Sequence, residues 1–146
     1  MSISHYVHLG FPLSFDYVGT RDVTGFLSTS AALDFIAGFG VRDVQQYLRD
    51  LSGEGARLLR TIGAAPIAPS EMYAAMRTYR LPQSRRAEGE DAQELTNGLW
   101  DEHHIQIAAS VFQEQLLLRL SAQIYVGIDD YRTLVDILER EGWLGK

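Results

Sequence analysis

Cysteine is absent from this 146-residue sequence, and lysine occurs once, as Lys146. Without cysteine the chain has no disulfide framework, no thiolate nucleophile and no zinc site built on cysteine. No apolar run approaches the roughly 20 residues that span a bilayer, and the first residues lack the basic flank and apolar stretch of a secretory signal. We therefore expect a cytoplasmic protein with no membrane role.

Positive charge is also scarce, with 13 Lys and Arg against 19 Asp and Glu and a formal net charge of −6. A surface that binds nucleic acid needs clustered Lys and Arg, and the short basic pair Arg85-Arg86 is followed at once by acids. We expect no nucleic-acid partner. The length and the 46% hydrophobic content are typical of a globular domain with an ordinary core.

The first half of the chain predicts two helices after an irregular start. Residues 1–21 are rich in glycine, proline and aromatic side chains and show no sustained period. Asp22 or Thr24 can cap a helix that Gly38 then ends. Residues 41–62 carry the clearest amphipathic stripe of the chain, which predicts a long second helix packed on its apolar face.

Two glycines, Gly53 and Gly55, lie inside this second helix. Each costs about 1 kcal/mol relative to alanine, so we expect a kink or a close helix contact there. The segment Gly53-Glu54-Gly55 resembles the opening of a dinucleotide-binding fingerprint. The third glycine position is Leu58, however, and no strand precedes the segment, so this interpretation fails.

The second half alternates between strand-like and helix-like patterns. We predict strands over 72–81, 104–111 and 115–125, a helix beginning near Asp91, and a last helix over 128–141. This order predicts an α+β fold: a small antiparallel sheet of about three strands, covered by helices on one face, with the long amphipathic helix against it.

Motifs for metal, hydrolase or nucleotide chemistry are missing. The run Asp101-Glu102-His103-His104 offers ligand-type side chains, but neighbouring residues diverge in direction and no second ligand pair follows at helix or hairpin spacing. We therefore predict no metal site. The sequence also has no Gly-x-Ser-x-Gly elbow and no Walker-type loop.

Three segments, in order and at matching spacing, resemble a known family. They are Gly19-Thr20-Arg21-Asp22 within residues 17–27, LWDEHHI at 99–105, and LRLSAQIY at 118–125. They are similar to the isopenicillin N epimerase-like branch of the class V aminotransferases, pyridoxal-phosphate enzymes of fold type I that also include cysteine desulfurases. The resemblance extends from about Phe11 to the end of the chain.

This resemblance implies roles for three residues. Gly19 and Thr20 would contact the cofactor phosphate of the other subunit in a dimer, with Gly19 allowing close backbone approach and Thr20 offering its hydroxyl and N–H. The alternative for Thr20 is turn or helix-entry capping. Arg119 would bind the α-carboxylate of an amino-acid substrate through its planar guanidinium, and its alternative is an exposed strand arginine. Arg21 and Asp22 suit a local ion pair.

The resemblance covers only the last part of the family pattern, so we predict no catalytic residue here. The cofactor lysine of the family would lie upstream of Met1, and Lys146 cannot replace it at the floor of a preformed pocket. We predict that 1–21 is a remnant of a large-domain loop, 22–62 forms connecting helices and 63–146 is the small α+β domain.

Two functions remain open from the sequence. In the first, the chain is part of a pyridoxal-phosphate enzyme that racemises or transaminates amino acids or acts at their Cβ–S or Cβ–N bonds. The chain alone would then be inactive and would bind no cofactor. Alternatively, it is a stand-alone, non-catalytic dimerisation or interaction module. In either case the apolar and aromatic side chains of residues 6–37 predict a homodimer.

Overall fold

The structure, a computed structural model, describes residues 7–15 and 22–145. Its contacts divide the chain into two compact units, one up to Val41 and one from Arg42 onward. Among the described residues no single helix is long and apolar enough to cross a membrane. The helical stretches Thr24–Gly38 and Val41–Thr61, which a short break separates, have the necessary length and composition only when taken together.

The first unit is built from short helical segments. Two 3-10 turns, Val7–Leu9 and Leu13–Phe15, precede the helices α1 (Thr24–Leu27) and α2 (Thr29–Gly38). The sequence predicted one helix here, but Ser28 interrupts it as a turn. None of the described residues from 7 to 40 is buried, so the apolar side chains of this unit form no core of their own.

The long helix α3 (Val41–Thr61) belongs almost entirely to the second unit. Its bounds match the predicted 41–62, and Gly63 follows it with a φ of +80°, a conformation that glycine adopts without strain. The buried side of α3 consists of Leu51, Ser52, Gly55, Ala56 and Leu59. These positions follow one another by one or three residues, which places them on one helical face.

A four-stranded antiparallel sheet forms the centre of the second unit, in the order β1-β2-β4-β3. The strands are β1 (Ala65–Pro66), β2 (Met76–Arg80), β3 (Ala108–Phe112) and β4 (Gln115–Ser121). Gln113 and Glu114 join β3 to β4 with φ angles of 49° and 61°, the left-handed conformations of a two-residue hairpin turn.

The α+β class is confirmed, and the strand count and the strand bounds need correction. The two-residue β1 is a fourth strand that has too short a pattern to be recognised in the sequence. Strand β2 begins at Met76, because a 3-10 turn occupies Ser70–Met72. Strand β3 begins at Ala108, since His104 still ends the preceding helix in a left-handed conformation and residues 105–107 form no strand. Strand β4 ends at Ser121, before the predicted end at 125.

The two faces of the sheet differ in what covers them. Leu116, Leu118 and Leu120 of β4 are at most 2% exposed and join the helices in the hydrophobic core. Successive strand side chains point to opposite faces, so Gln115, Leu117, Arg119 and Ser121 share the other face. All of them are exposed except Leu117, which is 8% exposed. The sheet thus has one face under helices and one largely open face.

Helices α4 (Gly89–His103) and α5 (Ile128–Arg140) complete this core. Each has an aspartate in its first turn that reaches back to the backbone. Asp91 accepts a hydrogen bond from the N–H of Glu88, and Asp130 accepts one from the N–H of Gly127, both at 2.7 Å. The acid at the third helical position therefore satisfies a free backbone donor at each helix start.

Candidate substrate-binding cleft

A cleft of about 350 Å³ opens where β4 ends and α5 begins. Three chain segments build it: the connection into β3, the last residues of β4, and the first turns of α5. Its lining residues are Ile105, Gln106, Ile107, Ala108, Arg119, Leu120, Ser121, Val126, Asp130, Tyr131 and Leu134. The cleft therefore combines an apolar wall with a few polar side chains, a composition common in small-molecule sites.

Among the described residues, Arg119 is the one cationic side chain that lines this cleft. In the register of the sheet it lies between Thr78 of β2 and Ala108 of β3, on the open face. Both neighbours are small, so they leave room around the guanidinium. Within residues 7–15 and 22–145 Arg119 has no hydrogen bond or ion pair, which leaves its donors available to a ligand.

Asp130 is the one acidic side chain among the lining residues. Its Oδ2 accepts the N–H of Gly127 and so caps α5. No ion pair joins Asp130 to Arg119 in the described structure. The arginine can thus act as a docking point for an external carboxylate, which its planar fork of donors matches in geometry.

Tyr131 also lines the cleft, whereas its helical spacing in the sequence predicted only a position in the core. Its side chain is 5% exposed, and its hydroxyl has no hydrogen-bond partner among the described residues. Burial raises the pKa of the Tyr131 phenol, and Asp130 and Tyr47 raise it further. The helical pattern could identify the buried face of α5 but gave no signal that this face also reaches the cleft.

The other predicted ligands, Gly19 and Thr20, lie outside the described residues, as does Arg21. Their neighbour Asp22 is described. Its Oδ1 accepts hydrogen bonds from the Thr24 N–H at 2.9 Å and the Thr24 hydroxyl at 2.5 Å. These bonds lower the pKa of the Asp22 carboxyl. Asp22 therefore has a local role at the entry to α1.

The cleft does not fit the requirements of pyridoxal phosphate by itself. Covalent attachment of that cofactor needs a lysine, and residues 7–15 and 22–145 contain none. The lining residues include no lysine and no histidine. The chemistry that this arrangement supports is binding: a guanidinium for an anionic group, next to apolar side chains for a hydrocarbon portion.

Two sequence relatives are both named isopenicillin N epimerase. The relative from Streptomyces clavuligerus is 34% identical over 126 residues, covering 83% of this chain and 30% of the relative. The relative from Amycolatopsis lactamdurans is 32% identical over 124 residues, with the same two shares. This chain is related to the isopenicillin N epimerases. The resemblance carried by its three sequence segments is confirmed.

The isopenicillin N epimerase-related chain spans 30% of the length of these relatives. No protein-family model matches it.

Solved structures show where the fold of this epimerase-related chain recurs. A cysteine desulfurase from Thermococcus onnurineus NA1 matches with a TM-score of 0.67 and 15% identity, over 88% of this chain and 33% of the other. An 8-amino-7-oxononanoate synthase from Francisella tularensis matches with a TM-score of 0.56 and 17% identity, over 71% and 29%. At these identities the likeness shows the fold alone, which this chain shares with 29% and 33% of these two solved chains.

Proposed function

We propose that this chain provides the substrate-carboxylate site of a pyridoxal-phosphate-dependent enzyme that acts on amino acids. Epimerisation is the reaction that the names of its relatives favour. The observation that carries the proposal is Arg119, which lies on the wall of the cleft and has no ion pair within residues 7–15 and 22–145. A free guanidinium next to apolar side chains suits an amino acid whose carboxylate docks on the arginine and whose side chain lies along Ile107 and Leu134.

The chain's own contribution is to bind and orient the substrate. The residues that hold the cofactor and move the proton at Cα belong to a part of the enzyme that this chain does not supply. Gly19 and Thr20 are the proposed exception, as phosphate contacts to a partner subunit. The predicted cytoplasmic location stays a prediction.

A binding experiment on the purified chain tests the role of Arg119. Titration with amino acids, followed by NMR of the arginine Nε–H signals, should shift the Arg119 signal saturably. The corresponding amino-acid amides, which lack the carboxylate, should not shift it. Arg119→Ala should abolish the shift of neighbouring backbone signals, because a charge-assisted hydrogen bond contributes about 1.5–3 kcal/mol.

Arg80 supplies the matched control. It is also an exposed arginine on the open face of the sheet, opposite Leu117, but it does not line this cleft. Arg80→Ala should leave the titration unchanged. If both variants respond alike, or if the amides bind as well as the acids, Arg119 is an ordinary surface arginine and the proposal fails. In a protein that joins this chain to the rest of the enzyme, Arg119→Ala should raise KM roughly tenfold or more.

The second candidate function, a stand-alone dimerisation module, rests on a different observation. In the first unit Phe11 is 87% exposed and Leu33 and Phe35 are 65% and 63% exposed. An apolar surface of this kind is a typical interaction site, and a symmetric dimer can bury it in both copies. Sedimentation equilibrium should then show a dimer in the micromolar range.

Phe35 and Phe112 give this test an internal comparison, since both are 63% exposed. Phe35→Ser should shift the dimer toward monomer, whereas Phe112→Ser, on the sheet of the second unit, should not. A wild-type chain that stays monomeric across the micromolar range contradicts the module. This outcome leaves the Arg119 proposal unaffected, because the cleft lies entirely within the second unit.

A further inference from the structure

Three ligand-type side chains meet where α4 and α5 end. Glu102 and His103 belong to the last turn of α4, and Glu141 follows α5 directly. One potential ligand atom of each residue lies within 4.8 Å of the other two. His103 Nε2 contacts Glu141 Oε1, although 38 residues separate them in the chain.

The sequence predicted no metal site because adjacent residues diverge in direction and no second ligand pair follows. Glu141 supplies a ligand-type side chain that this prediction did not consider. It approaches the end of α4 from another helix, so the three ligand atoms converge without any need for spacing along one segment.

The two inner side chains are held in place. Those of His103 and Glu141 are 20% and 25% exposed. Trp143 Nε1 donates to Glu141 Oε2 at 3.4 Å, so a neighbouring group orients the carboxylate from outside the cluster. His104, the next residue, ends α4 in a left-handed conformation and fixes the position of the last turn.

The surrounding charge favours a cation at this place. Both helices direct their carbonyl ends here, and a helix C-terminus carries partial negative charge. The two glutamates add formal negative charge. Arg140 is the nearby cation, with Nη2 at 4.0 Å from Glu141 Oε1, but its side chain is 68% exposed and can turn into solvent.

We infer that Glu102, His103 and Glu141 bind a divalent transition-metal ion, of which Zn²⁺ suits the ligand set best. Zinc accepts imidazole nitrogen and carboxylate oxygen at about 2.0–2.2 Å, and three protein ligands leave a fourth position for water. Calcium and magnesium select all-oxygen ligands, so the histidine argues against them.

Only small movements bring the ligands to a zinc ion. Two ligand atoms that each lie about 2.1 Å from zinc in a tetrahedral site are about 3.4 Å apart. The contact of His103 with Glu141 must therefore lengthen to admit the ion. The ligand atom of Glu102 already lies within 4.8 Å of the other two, and its exposed side chain can adjust to the ion.

Zinc titration of the purified chain against a fluorescent zinc indicator tests this inference. The wild-type chain should bind about one equivalent saturably. His103→Gln and Glu141→Gln should each weaken binding at least about tenfold, because removal of an outer-shell partner alone costs 10–100-fold and a direct ligand contributes more. Circular dichroism without metal shows whether each variant is folded.

His104→Asn is the matched control. It removes a histidine one position away, whose ring packs edge-on against Trp100, and asparagine tolerates the left-handed backbone. This variant should bind zinc as the wild type does. Absence of saturable binding in the wild type overturns the inference, as does equal weakening by His104→Asn. Loss of binding only in a His5→Gln/His8→Gln variant likewise overturns it, since those are the other two histidines of the sequence.

Discussion

Gly55 of α3 lies directly against the ring of Tyr131 of α5. A Cβ at Gly55 would overlap Tyr131 Cδ2 and would be 3.0 Å from Leu120 Cδ1. The close helix contact predicted for this part of α3 is therefore present at Gly55. Glycine costs about 1 kcal/mol inside a helix, and here it allows α3, α5 and β4 to approach one another.

We predict that Gly55→Ala and Gly53→Ala, two residues apart in one helix, change stability in opposite directions. The new methyl group at Gly55 must displace the buried Tyr131 ring, and overpacking of this kind costs about 1–3 kcal/mol. A Cβ at Gly53 meets only Arg77 Nη2, at an ordinary 3.7 Å. Gly53→Ala should then stabilise the protein by up to about 1 kcal/mol. Urea unfolding measures both, and destabilisation of equal size would contradict the packing argument.

The buried hydroxyl of Ser52 supports a second prediction. Its Oγ lies 2.7 Å from the Ala74 carbonyl oxygen and accepts a hydrogen bond from Arg77 Nε at 3.0 Å. Ser52→Ala leaves both groups without this partner and should cost about 1–3 kcal/mol in the free energy of unfolding. Ser70→Ala, at an exposed serine, should stay within about 0.5 kcal/mol of the wild type. Equal effects would show that the Ser52 bonds contribute nothing net.

Tyr131 should make stability depend on alkaline pH. Burial, followed by Asp130 and Tyr47, raises the pKa of its phenol above the ordinary value of 10.0. The native state therefore holds this proton more tightly than the unfolded state. Its contribution to stability is complete below the ordinary pKa and is lost as pH rises through the raised one.

Tyr131→Phe tests this dependence. At about pH 7 the variant should be as stable as the wild type, since the hydroxyl has no partner among the described residues. At about pH 11 it should lose less stability than the wild type. Tyr125→Phe, at a residue that is 83% exposed, should follow the wild type at both values. Parallel urea midpoints for all three proteins across this range would contradict the prediction.

A fourth prediction concerns the cofactor. The purified chain mixed with pyridoxal phosphate and borohydride should take up only weak, non-saturable label at its amines, because Lys146 is its only lysine. Lys146→Arg should leave label at the N-terminal amine alone. Peptide mass mapping measures both outcomes. Stoichiometric, saturable label at one residue, together with turnover of an amino acid, would show that this chain is catalytic by itself.

The sequence alone determined the elements whose pattern is long and periodic. The apolar stripes of α3 and α5 predicted both helices to within one residue at each end, because a period of 3.6 residues is a local property of the chain. Alternation in β4 placed Arg119 on the opposite face from Leu118 and Leu120, and the structure shows the same arrangement.

Short or interrupted elements could not be predicted from the sequence. The break at Ser28, the 3-10 turn before β2 and the two-residue β1 each involve too few residues for a period to appear. Such elements are set by the neighbours with which they pair. Strand β1 exists only through its register with Tyr79 and Arg80 of β2.

The tertiary structure decided which distant side chains meet. The sequence identified Arg119 through a family resemblance, but the cleft around it needs Gln106 and Tyr131, which lie on two other segments. His103 and Glu141, 38 residues apart, come together because the C-terminal ends of two helices converge. Local periodicity gives the face on which a side chain lies, whereas its partner across the fold depends on how complete elements pack, and that information is not contained in any single segment.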